Sequence, residues 1–213
     1  MKKKTALVIA VSLMVTAVCS AKFIGGRFKV TQSEEEFDVM YYVTEDMKQI
    51  KNLENRDVAI TQSFKVERNK LKGELRYSLF TDVGDTEDED NLKIEYATWV
   101  MVCLLNIAGY DLSPGSISRF NDSDVKAEFN GDFGCTAFIK NPKSDYGKGY
   151  KYMMVDFFYK KGQGLVMRVF LFNDMKFSGM DGKGGISMES PLFVNYHSFK
   201  FMEKDKDGKY ITE

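Results

Sequence analysis

Residues 149–172 read GYKYMMVDFFYKKGQGLVMRVFLF. Two runs, Gly149–Tyr159 and Leu165–Phe172, flank a turn at Lys161-Gly162-Gln163-Gly164. Along the first run Met153, Val155 and Phe157 alternate with Tyr152, Met154 and Phe158, so both faces of an extended chain would be apolar or aromatic. A strand with one wet face alternates apolar with polar residues, whereas a strand apolar on both faces is covered on both. The stretch therefore predicts an antiparallel hairpin at the centre of a sheet, with layers on either side.

Upstream, Val58, Ile60, Phe64 and Val66 alternate with Ala59, Thr61, Ser63, Lys65 and Glu67. Leu71, Gly73, Leu75, Tyr77 and Leu79 alternate with Lys72, Glu74, Arg76 and Ser78. Period two with one polar face predicts a second antiparallel pair. A turn at Glu67-Arg68-Asn69-Lys70, pairing Val66 with Leu71, puts both apolar sets on one face. Arg27–Gln32 and Phe37–Thr44 read as short strands around a solvated Glu34-Glu35-Glu36 turn. Glu45–Asn55 is polar with Met47, Ile50 and Leu53 at helical spacing, which reads as a short helix or a loop.

One long helix is predicted over Glu89–Ala108, with the acidic residues of 82–90 at its positive end and Gly109 as its cap. Trp99-Val100-Met101-Val102-Cys103-Leu104-Leu105 is apolar nearly all round, which predicts cover on more than one side and contact of Trp99 and Cys103 with the sheet. Val125, Ala127 and Phe129 read as a strand, joined through Asn130-Gly131-Asp132 to a strand carrying Phe133, Cys135, Ala137 and Ile139. A three-residue loop keeps both apolar sets on one face. Phe177–Gly185 reads as a glycine-rich loop, Ile186–His197 as holding a short helix near Pro191, and Ser198–Met202 as a last strand. These elements predict an α+β fold: an antiparallel sheet of six or more strands, one long buried helix packed on a face, and short helices. Aromatic residues make up 14 % of the chain and fall in the strand-like runs, in keeping with a β-rich fold.

The chain opens with Lys2, Lys3 and Lys4, an uncharged run Thr5–Val18, and the small residues Cys19-Ser20-Ala21. That is the plan of a secretory signal peptide, with cleavage after Ala21 and Lys22 as the mature N-terminus. The run is short of the roughly 20 residues that span a hydrocarbon core. Two alternatives stand beside simple cleavage: a lipid anchor at Cys19, against which Val18 is large for the preceding position, and an uncleaved anchor. The sequence thus divides into a signal peptide at 1–21, a single α+β domain at 22–202 and a charged, mobile tail at 203–213. No second long apolar run exists, so no transmembrane span is expected in the mature chain.

Without its first three lysines the chain has 27 basic residues against 31 acidic, where the full chain has 30 against 31. A mild acidic balance argues against a nucleic-acid partner. Cys103 and Cys135 remain after cleavage; each is expected to point into the core, and in an oxidising compartment they pair as a disulfide or stay buried thiols.

Catalytic chemistry has few candidates. His197 is the single histidine, which excludes a multi-histidine zinc site, and it stands among Phe193, Tyr196 and Phe199 in a packing or surface role. Gly179–Gly185 lacks the spacing of a dinucleotide or phosphate loop. Asp82, Asp85, Glu87, Asp88 and Asp90 offer oxygens for calcium but suit a helix start, and Asp205-Lys206-Asp207-Gly208-Lys209 places lysine where a third ligand belongs. No catalytic, cofactor-binding or metal-ligating residue is assigned, and no cofactor is expected. Paired carboxylates of a hydrolase leave no sequence signature.

The element order, ending in the Gly149–Phe172 hairpin, a loop and Ser198-Phe199-Lys200-Phe201, resembles the PsbP-like and DcrB-like superfamily of small exported α/β sandwiches. The resemblance covers residues 27–202 in layout and carries over no catalytic residue. It implies an accessory or binding module without catalysis. The expectation is therefore an exported, non-enzymatic module of the periplasm, cell envelope or secreted fraction, meeting an envelope protein or a small ligand; the alternative is an extracytoplasmic hydrolase using paired carboxylates.

Overall fold

The structure, a computed structural model, describes residues 22–23, 26–29, 36–56, 59–80, 88–108, 117–178, 186, 190–203 and 205–207. Its strands are β1 (Lys22–Phe23), β2 (Gly26–Lys29), β3 (Glu36–Met40), β4 (Tyr42–Val43), β5 (Met47–Arg56), β6 (Ala59–Arg68), β7 (Leu71–Phe80), β8 (Ile117–Arg119), β9 (Phe133–Lys140), β10 (Tyr152–Lys160), β11 (Gly164–Phe172) and β12 (Lys200–Phe201). Its helices are α1 (Glu89–Ala108), α2 (Asp122–Phe129), α3 (Met175–Ser178) and α4 (Phe193–Ser198), with one 3-10 turn at Asp145–Gly147.

The hairpin quoted above is β10 and β11, paired from Tyr152↔Phe172 to Lys160↔Gly164. It lies inside a seven-stranded antiparallel sheet of order β5-β6-β7-β11-β10-β9-β8, and every residue of β11 is buried. The fold is α+β, as its pattern requires. One face of the hairpin, with Met153, Val155, Phe157, Met167 and Val169, is covered by α1 through Leu92, Val100, Cys103, Leu104 and Ile107. The other, with Met154, Phe158, Val166 and Phe170, is covered by Val39, Tyr41, Phe129 of α2, Phe177 of α3 and Phe199. β2, β3 and β12 form a three-stranded sheet, and β1 pairs with β4.

Several sequence readings need correction. Glu45–Asn55 is neither helix nor loop: it belongs mostly to β5, paired with β6. The register shifts between Ile50 and Glu54, and such a bulge destroys the period-two signal that marks a strand. The β6–β7 turn is Asn69-Lys70, so Arg68 meets Leu71 and Val66 meets Gly73. Both turn residues have positive φ, 50° and 68°, as a two-residue hairpin turn of the mirror-image type demands. The slip from the expected pairing is two residues, which leaves every face unchanged. Phe37–Thr44 is two strands in different sheets, broken at Tyr41.

Val125, Ala127 and Phe129 lie in helix α2, not in a strand. Asn121 caps it by accepting from Ser123 N at 3.0 Å, and Asn130 closes it at φ 53°. Val125 and Phe129 are one helical turn apart and buried, while Ala127 is exposed. Phe177 is not a loop residue but a buried part of α3. β8 went unread in the sequence. Residues 1–21, where a signal peptide is expected, lie outside the described residues, as do 82–87, the cap position Gly109, the loop 179–185 and the end of the expected tail, 208–213.

α1 begins where Asp88 Oδ1 accepts from Asn91 N at 2.9 Å. Trp99 meets the sheet at Phe80, ring centroids 5.8 Å apart, and Cys103 is buried, both as expected. The expected cover on several sides is wrong. The helix buries one face, and the opposite face leaves Ile94, Met101 and Val102 in solvent.

Candidate functional site

The chemistry of the sheet concentrates on one line. Asp156 of β10 stands opposite Arg168 of β11. On the same face the register continues to Tyr77 and Gln62 on one side and to Thr136 and Ser118 on the other. A polar row thus crosses an otherwise apolar surface. Arg168 Nε and Nη2 donate to Asp156 Oδ2 at 3.0 and 2.8 Å, and Nη1 donates to the Tyr196 carbonyl at 3.0 Å. The guanidinium lies 4.4 Å from the Tyr196 ring centroid and 5.2 Å from those of Phe158 and Phe170. Tyr77 donates to Asn195 Oδ1 at 2.6 Å, and Tyr41 donates to Gln62 Oε1. Burial is the largest influence on the Tyr77 hydroxyl and pushes it up to about 12; Arg168 and Asn195 oppose that rise. Asp156 and Arg168 are both 0 % exposed, so the pair is sealed from any ligand and ties α4 to the sheet.

On the α1 side the sheet changes character beyond the helix. Arg76 of β7 donates to Glu74 Oε2 at 3.1 and 2.6 Å and to the Tyr146 carbonyl at 2.9 Å. Its guanidinium stacks 4.5 Å from the Tyr146 ring. Next to it Thr61 and Ser78 hydroxyls lie 2.8 Å apart. This cluster pins the 3-10 turn to β7, and Ser144 of the same segment donates to the Ile107 carbonyl at the end of α1.

The residues singled out in the sequence are dispersed. His197 lies on α4 with Nδ1 3.2 Å from Glu128 Oε1 of α2, and its ring packs on Phe193 and Tyr196 at 4.7 and 5.1 Å. Cys103 and Cys135 are buried free thiols, on α1 and β9. Burial pushes Cys103 up to about 12 and Cys135 up to about 11, so both are protonated at neutral pH, unsuited to nucleophilic attack or metal ligation. Tyr96 donates to Cys135 Sγ at 3.4 Å. Among the described residues no three His, Cys, Asp or Glu side chains converge as a metal site requires. Asp88 caps α1, and Asp205 accepts from Asp207 N in a local turn.

The feature the sequence reading missed is the outer face of α1. Ile94 is 65 % exposed, Met101 43 % and Val102 46 %. Asn91, Thr98 and Asn106 share that exposure, and Thr98 donates back to the Ile94 carbonyl. Their spacing near multiples of the helical turn was the available signal: a polar residue recurring along one line marks a face that is not buried. No helix among the described residues is long and apolar enough to cross a membrane. Comparison with known proteins finds no family model, no curated protein and no solved structure that matches the chain.

Proposed function

We propose that this chain is an exported, non-catalytic accessory or binding module of the cell envelope, and that it meets a protein partner through the outer face of α1. The observation that carries the reading is the exposure of Ile94, Met101 and Val102 on a helix whose other face is docked on the sheet. With exposed Ala97 between Ile94 and Met101 these side chains form a continuous stripe, and a contiguous exposed apolar patch marks an interaction surface. Exposed Asn91, Ala97, Thr98 and Asn106 beside them are uncharged, with Asp90 one turn before Ile94 at the edge, so the complementary surface is a largely uncharged protein surface. The acid–base groups of the interior serve the fold: Asp156 and Arg168 are spent on each other, and both thiols stay protonated. The resemblance in layout to the PsbP-like and DcrB-like superfamily points the same way.

The test is a photo-crosslinking residue at Met101 in cells that export the chain, with the adduct identified by mass. A single envelope protein captured at position 101 and missed at position 206, on the far tail, supports the reading. Equal capture at both positions overturns it. The intact mass and the cell fraction of the recovered chain test export: a start at Lys22 fits cleavage, diacylglycerol on Cys19 fits lipidation, a retained Met1 in the membrane fraction fits an uncleaved anchor, and a retained Met1 in the cytoplasm sinks export.

A further inference from the structure

Charge is sorted along the strands. At one end of the sheet lie the β6–β7 hairpin, the β9–β10 connection and α3, brought together by the register Gly73↔Phe172, Tyr152↔Phe172 and Tyr152↔Lys140. They carry Lys70, Lys140, Lys143, Lys148, Lys151 and Lys176, all exposed. The acids at this end are fewer than the bases, and most are paired: Asp174 caps α3 by accepting from Lys176 N, Asp145 lies 3.7 Å from Lys148, Glu67 lies 3.1 Å from Lys72, Asp46 lies 3.4 Å from Arg68, and Glu45 is exposed beside them. The opposite end carries more acids than bases: Asp88, Glu89 and Asp90 at the start of α1 with Asp124 and Glu128 of α2, against Lys126, Lys161 and Lys206, all exposed.

The lysine-bearing end is a built platform. Asn141 N donates to the Lys151 carbonyl at 2.7 Å, Lys151 N donates to Asn173 Oδ1 at 2.8 Å, and Asn173 Nδ2 donates to the Gly149 carbonyl at 3.2 Å. These bonds fix the loops to one another. The lysines span β7, β11, β10 and β9, about 15 Å at the usual strand separation, too wide for one phosphate group. Met175, 38 % exposed, sits beside Lys176 as an apolar contact among the cations.

The same end receives the start of the folded chain. β1 runs antiparallel to β4 with Lys22 opposite Val43. The N-terminal side of Lys22 is therefore directed toward Thr44, and Thr44 accepts from Met47 N where β5 begins at the lysine-bearing end.

We propose that the lysine-bearing end docks on an anionic phospholipid surface. This rests on the export reading, which places the chain beside a membrane. Lysine ammonium groups spread over several loops suit a sheet of phosphate headgroups, which they meet as separate point charges. The acidic end is repelled, so the sheet stands upright and α1 presents its outer face sideways to neighbouring proteins.

The experiment uses the chain recovered from exporting cells and co-sedimentation with phosphatidylglycerol–phosphatidylcholine vesicles or phosphatidylcholine alone. Two triple variants are compared: Lys140→Gln, Lys148→Gln and Lys151→Gln at the proposed surface, and Lys126→Gln, Lys161→Gln and Lys206→Gln at the far end. The expected result is binding to anionic vesicles that falls about tenfold or more in the first variant and less than about twofold in the second. Raising salt from about 0.05 to about 0.5 M should release the wild type. Equal loss in both variants, or equal binding to neutral vesicles, overturns the proposal. Recovery of the chain from the cytoplasm with Met1 retained would sink export alone, because both variants share one N-terminus and their comparison still reads the platform.

Discussion

At the scale of single residues the decisive pair is Asp156 and Arg168. A buried ion pair is weak as a source of stability but costly to break, because the survivor is left as an unpaired charge. Arg168→Met should therefore destabilise the chain by about 3–5 kcal/mol in urea denaturation. Adding Asp156→Leu should restore most of the loss, and a double variant no better than the single would refute this account. The pair was legible in principle: the two residues are equidistant from Gly162, the middle of the turn, so hairpin pairing sets them opposite each other. The aromatic cage was not, since Tyr196, Phe199 and Phe129 come from other parts of the chain. Lys70 shows a second residue-scale tension. At φ 68° it occupies a conformation that costs an L-residue roughly 1 kcal/mol, so Lys70→Gly should raise the urea midpoint. A lowered midpoint would show that the side chain itself holds the turn.

Among the elements, α1 divides its residues between two tasks. Leu104 is fully buried against the sheet, and Leu104→Ala should cost about 2–5 kcal/mol. Val102→Ser lies on the outer face and should stay within about 0.5 kcal/mol while weakening partner capture. A large loss of stability from Val102→Ser would mean the face is covered in the folded chain. The extent of α1 was readable from its charge and apolar content, but its burial was not. Near-continuous apolar sequence says how much could be buried, and only the neighbouring layers decide how much is. For β5 and α2 the local pattern misled. The β5 bulge imitated helical spacing, and Val125, Ala127 and Phe129 alternated by chance on a helix whose true markers were Asn121 and Asn130. Gly73 marks a close approach between elements: a Cβ there would sit 2.5 Å from the Leu171 carbonyl oxygen and from the Phe177 ring. That crowding explains how α3 seats its phenylalanine on the sheet.

For the molecule as a whole, burial of titratable groups sets its response to alkali. Burial raises Cys103 from 9.0 to about 12, Cys135 from 9.0 to about 11 and Tyr77 from 10.0 to about 12. Groups held neutral in the folded state and free to ionise in the unfolded state contribute stability that is complete below the unfolded values. Stability should be level up to about pH 9 and fall as pH rises through about 11 to 12. Urea midpoints across that range check the sign; a midpoint that rises with alkali would contradict it. The sheet-and-helix architecture followed from the central hairpin because apolar faces dictate layers. The lysine-bearing end did not, because it is assembled from loops distant in sequence whose lysines look ordinary one at a time. The polar row across the sheet has one more consequence. Alternating apolar residues identify the correct face of a strand but cannot tell a register from its neighbour two residues away. Such a slip would set Arg168 against Met154 or Phe158 and strand both charges among aromatic rings. The Asp156–Arg168 pair therefore works as a proofreader of strand alignment, rejecting mispairings that hydrophobicity alone would accept. The Asp156→Leu, Arg168→Met chain should keep its stability yet show several sets of amide resonances, and a single sharp set would end that interpretation.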